Sequence, residues 1–276
     1  MSENTQQPKA DMFIGTAGYY AKYRPGYPPE LFQEIVQFYR LDGTGVMLDL
    51  GAGTGQLSIP LARYFESIIA MDPDPEMLAE GKKAALKSGV HNITWRDGSS
   101  ENIADLHAKL KLVTMGRSFH WMNCDRVLSD LYAIIEPEGG IVIAADSEAS
   151  RVPSNFSVVR KAVIEKFLGK RRRAGSGYYE VSEEPFEAIV GRSNFTLAKI
   201  STTTMTQHWT IDSIVGHTYS TSFASPAVLG DKLPDFEREL RAELQKLSPS
   251  GDFIEEIETK ALLLKRAPQR HKKWNQ

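Results

Sequence analysis

Hydrophobic positions along this chain switch repeatedly between two periods. Short apolar runs, the mark of strands buried on both faces, occur at 46–50, 67–71, 110–115 and 141–145, with a weaker one near 92–95. Between them lie segments with helical spacing at 54–64, 75–86 and 124–135. Ser88-Gly89 stops the second helix, and E-P-E-G-G at 136–140 stops the third. A helix at 29–40, entered through Pro28 and Pro29, precedes the first strand. This alternation predicts an α/β fold: a mostly parallel sheet covered on both sides.

The alternation ends after residue 146. Residues 154–168 read as a helix, the basic run K-R-R-R at 170–173 as a solvated loop, and 185–190 as a short helix. A threonine-rich alternating stretch at 197–205 reads as a strand. Helices are expected at 211–222 and 234–247, and a last, antiparallel strand at 261–265. His208-Trp209 reads as a turn before a helix capped by Thr210. No internal repeat is visible. The expected organisation is a disordered lead (1–12), an N-terminal segment and helix (13–45), an α/β core (46–146), an insertion or cap (147–235), the end of the core (236–266) and a flexible tail (267–276).

Composition narrows the class. The chain has 276 residues, 41% of them hydrophobic, enough to bury a sizeable core, and a formal net charge of -2. Nothing in that balance calls for nucleic acid or a membrane, and the basic run lacks interleaved aromatics. The single cysteine, Cys124, permits no internal disulfide. No secretory leader and no apolar run of about eighteen residues is present, so a cytoplasmic protein is the default expectation. No metal-ligand cluster stands out.

The chemistry concentrates at the strand ends. V-M-L-D-L-G-A-G-T-G at 46–55 runs from an apolar strand through Asp49 into Gly51, Gly53 and Gly55. The dinucleotide fingerprint G-x-G-x-x-G wants a third glycine at position 56, where this chain has Gln56. A carboxylate beside the glycines repels a pyrophosphate but suits a cationic head, such as the ammonium and sulfonium of S-adenosylmethionine. Asp72 ends the second strand, 23 positions after Asp49, where a carboxylate can accept from ribose hydroxyls. Asp97, in R-D-G-S-S after the third strand, can accept from an adenine amino group.

D-L-G-A-G-T-G at 49–55 resembles the first motif of the class I S-adenosylmethionine-dependent methyltransferases, and E-P-E-G-G resembles their turn into the fifth strand. The similarity spans roughly residues 13–146. It points to the small-molecule branch that includes ubiquinone/menaquinone-biosynthesis and trans-aconitate-type enzymes. The resemblance implies a Rossmann-like sheet and a cofactor site of Asp49, Gly51, Gly53, Asp72, Pro73, Met77, Asp97, Gly98, Ser99, Arg117 and Ser118. It also implies that Tyr19 touches the cofactor and Arg24 pairs with its carboxylate, within a lid that closes over both reactants. S-adenosylhomocysteine is the implied product.

On the acceptor side, His120 and Trp121 follow the fourth strand. His120 is a candidate base or acceptor-orienting group, and Trp121 a candidate apolar wall. Tyr20, Tyr23, Tyr178, Tyr179, His208, Trp209, His217 and Tyr219 are further pocket candidates. The leading expectation is methyl transfer to an oxygen or nitrogen of a small molecule, carbon remaining open. The alternatives are a nicotinamide-dependent oxidoreductase, a non-catalytic binder of S-adenosylmethionine, and an RNA or protein methyltransferase. The last lacks an asparagine-proline-proline-aromatic motif here. Monomer and homodimer both remain open.

Overall fold

The computed structural model describes residues 15–146, 154–170, 184–267 and, as backbone only, 173–174 and 177–178. In chain order the elements are α1 (Ala17–Tyr23), α2 (Pro29–Tyr39), β1 (Val46–Leu50), α3 (Ser58–Leu61), β2 (Ser67–Asp72), α4 (Pro75–Lys87), β3 (Ile93–Asp97), β4 (Leu110–Gly116), α5 (Cys124–Ile134) and β5 (Ile135–Asp146). There follow α6 (Asn155–Leu168), a two-stranded ribbon of β6 (Arg173–Ala174) and β7 (Gly177–Tyr178), α7 (Phe186–Gly191), β8 (Phe195–Thr210), α8 (Ile211–Tyr219), α9 (Pro226–Leu229), α10 (Leu233–Leu247) and β9 (Asp252–Arg266).

Seven strands form one sheet in the order β3-β2-β1-β4-β5-β9-β8. The first five are parallel, and β9 and β8 close the edge antiparallel. This is the expected Rossmann-like arrangement. The order reverses between β1 and β4, the place where open α/β sheets leave a crevice at their carboxyl ends. On one face α2 buries Leu31, Ile35 and Tyr39 at four-residue spacing. The Tyr39 hydroxyl, deep in the sheet, donates to the carbonyls of Ile141 and Leu264, each at 2.9 Å. On the other face, Val127, Leu128 and Leu131 of α5 meet Leu48, Val113 and Ile143.

A third apolar cluster lies beyond the sheet. Phe156 and Val163 of α6, Trp209 of β8, Ile214 and Tyr219 of α8, and Phe236, Leu240 and Leu244 of α10 form it together. The sequence groups α10 with the end of the core. In the structure its buried stripe faces α6 and α8.

Several elements differ from expectation. The helix expected at 54–64 is reduced to four residues and a 3-10 turn at Ala62–Tyr64, because left-handed glycines at 53 and 55 keep the chain in a loop until Leu57. The aromatic segment forms the short helix α1. β8 has 16 residues and β9 has 15, because each pairs with the other well past the edge of the parallel sheet. His208 and Trp209 therefore lie within β8 rather than in a turn. Thr210 does cap α8, accepting from Ser213 N at 3.2 Å.

Candidate functional site

The carboxyl ends of β1, β2, β3 and β4 converge on the glycine loop at 51–55. Gly51 N and Ala52 N both donate to the Met71 carbonyl, at 2.8 and 3.0 Å, which ties the loop to the end of β2. The three glycines have different reasons to be glycine. All have positive φ, at 74°, 52° and 82°. A Cβ on Gly51 would overlap Ser118 Cβ, and one on Gly55 would sit 2.6 Å from the Trp95 ring. Gly53 alone of the three faces open space, with nothing within 4 Å of a Cβ built there. The loop thus leaves one glycine facing open space and uses the other two for close approach of the protein to itself.

Asp49 is 1% exposed. Its Oδ2 accepts from Ser58 Oγ at 2.6 Å and its Oδ1 from Thr114 Oγ1 at 2.8 Å. Burial raises its pKa against the lowering effect of those hydroxyls. The carboxylate sits under the loop, enclosed by α3 and β4. Asp72 is positioned otherwise. Its Oδ2 accepts from Gly53 N at 2.8 Å and its Oδ1 from Asp74 N at 2.9 Å, and its side chain is half-buried at the strand end. Burial pushes its pKa up to about 6. Each carboxylate oxygen keeps lone-pair capacity after those two bonds.

Asp97 is exposed and pairs in register with Asp72 across β3 and β2. Gly98 N donates to the Asp72 carbonyl at 3.2 Å, and Ser99 caps the following 3-10 turn. Pro73 is half-buried after β2, and Met77 is buried on α4, which Asp74 caps. One Asp74 carboxylate oxygen, Oδ2, is buried without a hydrogen-bond partner. Ser118 Oγ donates to the Leu50 carbonyl at 2.7 Å, fixing the chain after β4 against the end of β1.

His120 and Trp121 form a 3-10 turn after β4, their rings 4.6 Å apart. Burial lowers the His120 pKa to about 4, so its imidazole is neutral at pH 7. Arg24 donates through Nε to Ser220 Oγ at 2.9 Å and stands over the Tyr20 ring. Tyr19 packs edge-on to Tyr219, and Tyr23 covers Gly216 so closely that a Cβ there would overlap its ring. α1 therefore bridges the sheet mouth and α8.

The remaining acceptor candidates separate. His217 Nδ1 accepts from Arg160 at 2.7 Å, and Tyr219 donates its hydroxyl to Glu237 at 2.9 Å. Trp209 is buried in the third cluster and donates to Glu255 at 3.0 Å. His208 is exposed on the edge strand, opposite Ile254, and is not brought to the mouth. Tyr179 and the Tyr178 side chain lie outside the described residues. Gln56, Ser58, Thr114 and Asp146, which support the mouth from outside the predicted set, were not singled out as site residues in the sequence. Only Gln56 carried a sequence signal, as the departure from the dinucleotide fingerprint. Among the described residues there is no cluster of metal-ligating side chains, and no helix is long and apolar enough to cross a membrane.

Residues 47–139 match the family model described as a methyltransferase domain. An uncharacterized methyltransferase of Schizosaccharomyces pombe is 28% identical over 230 residues, 83% of each chain. A methyltransferase-like protein of the same yeast is 27% identical over 83% of this chain and 82% of its own. Among solved structures, a putative type II methyltransferase from Anaeromyxobacter dehalogenans superposes with a TM-score of 0.62 at 18% identity, over 89% of this chain and 99% of that one. A SAM-dependent methyltransferase from Geobacter sulfurreducens, solved with S-adenosyl-L-homocysteine, gives 0.53 at 18% identity, over 92% and 97%.

Proposed function

We propose that this chain, whose residues 47–139 match a methyltransferase domain and whose sheet has the class I S-adenosylmethionine-dependent methyltransferase fold, transfers a methyl group to an oxygen or nitrogen of a small molecule. The observation that carries the reading is the glycine loop. Gly53 faces open space, and its own amide is held by Asp72, the acid proposed to meet a ribose. The residues present fit an adenosyl group. Asp72 has acceptor capacity for two hydroxyls, and Asp97 stands beside it for the adenine side. Half-buried Pro73 and buried Met77 are the proposed apolar neighbours. Gly51, Ser118 and buried Asp49 hold the loop from below.

When bound, S-adenosylmethionine supplies a methyl carbon made electrophilic by its sulfonium. The work left to side chains is positioning and exclusion of water. Neutral His120 offers a ring nitrogen to orient, or take a proton from, an acceptor hydroxyl or amine. Trp121 and Tyr20 are proposed walls for that acceptor. Arg24 is proposed as a tie between mouth and α8 rather than an open carboxylate site, since its Nε is spent on Ser220. The acceptor is proposed to be a small metabolite, as in the ubiquinone/menaquinone and trans-aconitate types that the motifs resemble.

Calorimetric titration with S-adenosylhomocysteine and with NAD tests this reading. Binding of the first in the micromolar range and none of the second is expected. Tight NAD binding alone would overturn it; where S-adenosylhomocysteine binds instead, methyl transfer from labelled cofactor to a panel of alcohols and amines identifies the acceptor class.

A further inference from the structure

Arg117 is a non-glycine residue in the left-handed region, with φ 57°. Its guanidinium forms an unusually complete set of bonds. Nε donates to Asp146 Oδ1 at 3.0 Å, and Nη2 lies 3.0 Å from the same oxygen. Nη1 donates to the Pro25 carbonyl at 2.9 Å and to Gln56 Oε1 at 3.2 Å, and Nη2 to the Gly26 carbonyl at 3.2 Å. The group also lies over the Tyr27 ring, 4.6 Å from its centroid. Tyr27 itself is seated only because Gly116 lacks a Cβ, which would overlap the Tyr27 hydroxyl.

Gln56 works from the other side. Its Nε2 donates to the carbonyls of Arg24 and Pro25, at 3.2 and 3.4 Å. Two side chains thus hold three consecutive carbonyls, those of residues 24, 25 and 26. Gln56 directly follows Gly55, and it occupies the place where a dinucleotide-binding loop has glycine. A glycine there has no side chain with which to make this bridge.

We propose that Arg117 and Gln56 are positioning residues. They clamp the backbone of residues 24–26 as a fixed wall of the ligand mouth and couple that wall to the glycine loop. The proposal deepens the cofactor reading above and rests on it. Arg117 with its donors spent on protein oxygens is not an open site for an anionic acceptor. The wall continues into α1, which Tyr23 seats on Gly216 and Arg24 ties to Ser220. Motion that admits ligands then falls to α1 and α8, with residues 24–27 as the anchored end. A ligand lying on Gly53 stiffens the loop, and the Gln56 amide carries that stiffness to the wall.

Hydrogen–deuterium exchange of the full chain, read on the segment 15–27 with and without S-adenosylhomocysteine, tests the coupling. In the parent protein the ligand is expected to slow exchange of this segment. In Gln56→Ala the ligand still binds, within about fivefold of parent affinity, but its protection of 15–27 falls by about tenfold. Gln56→Glu, which still accepts from Arg117 but cannot donate to the carbonyls, behaves as Gln56→Ala. Arg117→Lys, which cannot fork, raises exchange of the segment even without ligand; if that variant does not fold, the Gln56 pair decides. Undiminished protection in both Gln56 variants overturns the proposal. If the parent binds no S-adenosylhomocysteine, the cofactor reading fails separately, and unchanged ligand-free exchange of 15–27 in Gln56→Ala overturns the clamp as well.

Discussion

The mouth of the sheet and the third apolar cluster are built on opposite plans. At the mouth, polar groups are held by several partners each, over short loops: Asp49 by two hydroxyls, Asp72 by two amides, Arg117 by carbonyls, an amide and a carboxylate. In the cluster of α6, α8 and α10, stability comes from apolar side chains drawn from residues 156 to 257. Hydrogen bonds fix angles and positions, as reacting atoms require, whereas apolar packing fixes volume and tolerates repacking. A region that must hold one cofactor needs the first plan. A region that only has to fill volume beyond the sheet can use the second.

The sharpest way to break this contrast is Phe236→Ala. Phe236 is fully buried between Phe167 and Tyr219. Its truncation should destabilise the protein by about 3–5 kcal/mol, read as a shift in the urea midpoint. Affinity for S-adenosylhomocysteine should stay within about threefold of parent, because the glycine loop is anchored to β2 and not to α10. A large loss of affinity would mean that the two regions are not separate.

Gly51→Ala asks the converse at the mouth. Its Cβ would overlap Ser118, and the residue would keep a φ of 74°, so a cost of about 2–4 kcal/mol is expected. Gly53→Ala meets nothing and should cost only about 1 kcal/mol, yet weaken S-adenosylhomocysteine more than that stability loss explains. Thermal melts and ligand titration on the two variants separate a packing glycine from a ligand-facing one.

The same contrast explains what could be read from sequence. Period-two and apolar-run signals placed β1 to β5, because each strand is buried by its own consecutive residues. The acids at 49, 72 and 97 were visible because strand ends are local features. That Asp49 is enclosed by the Ser58 and Thr114 hydroxyls was not visible, since Thr114 lies 65 positions away. The Arg117 clamp joins residues 24–26, 56, 117 and 146, and no local pattern announces it. The third cluster was legible only as separate helices, because which face α10 turns to α6 and α8 is decided by packing. His208 was misplaced because the alternating threonines suggested a strand that ended too early; β8 runs on through it only by pairing with β9.

Asp72→Asn should lower affinity for S-adenosylhomocysteine by about 10–100-fold at pH 7.5, since the amide presents one acceptor where the carboxylate presents two. In the parent, affinity should fall about tenfold per unit as the pH drops below the group's value near 6, because the protonated acid accepts less well. A flat affinity profile in Asp72→Asn over the same range assigns that titration to Asp72, whereas a parent-like slope in the variant assigns it to another group. Stability carries the opposite sign. The folded-state value lies above the unfolded one near 4, so the folded protein holds the proton more tightly, and this group's contribution is lost as the pH rises from about 4 to about 6.

The smallest expected effect is at His120. Its folded-state value, near 4, lies below the unfolded value of 6.5, so the unfolded chain takes up the proton first. This residue therefore favours folding above pH 6.5, and that contribution is lost as the pH falls toward 4, against the trend set by Asp72. His120→Phe should remove it, making the stability profile between pH 4.5 and about 6.5 fall more steeply with rising pH than in the parent. Affinity for S-adenosylhomocysteine should change by less than about threefold, because the glycine loop is held by the Met71 carbonyl and the Asp72 carboxylate. Denaturant midpoints at closely spaced pH values read the slope directly. An unchanged slope would place the titration elsewhere, and a large loss of affinity would overturn the acceptor-side role proposed for His120.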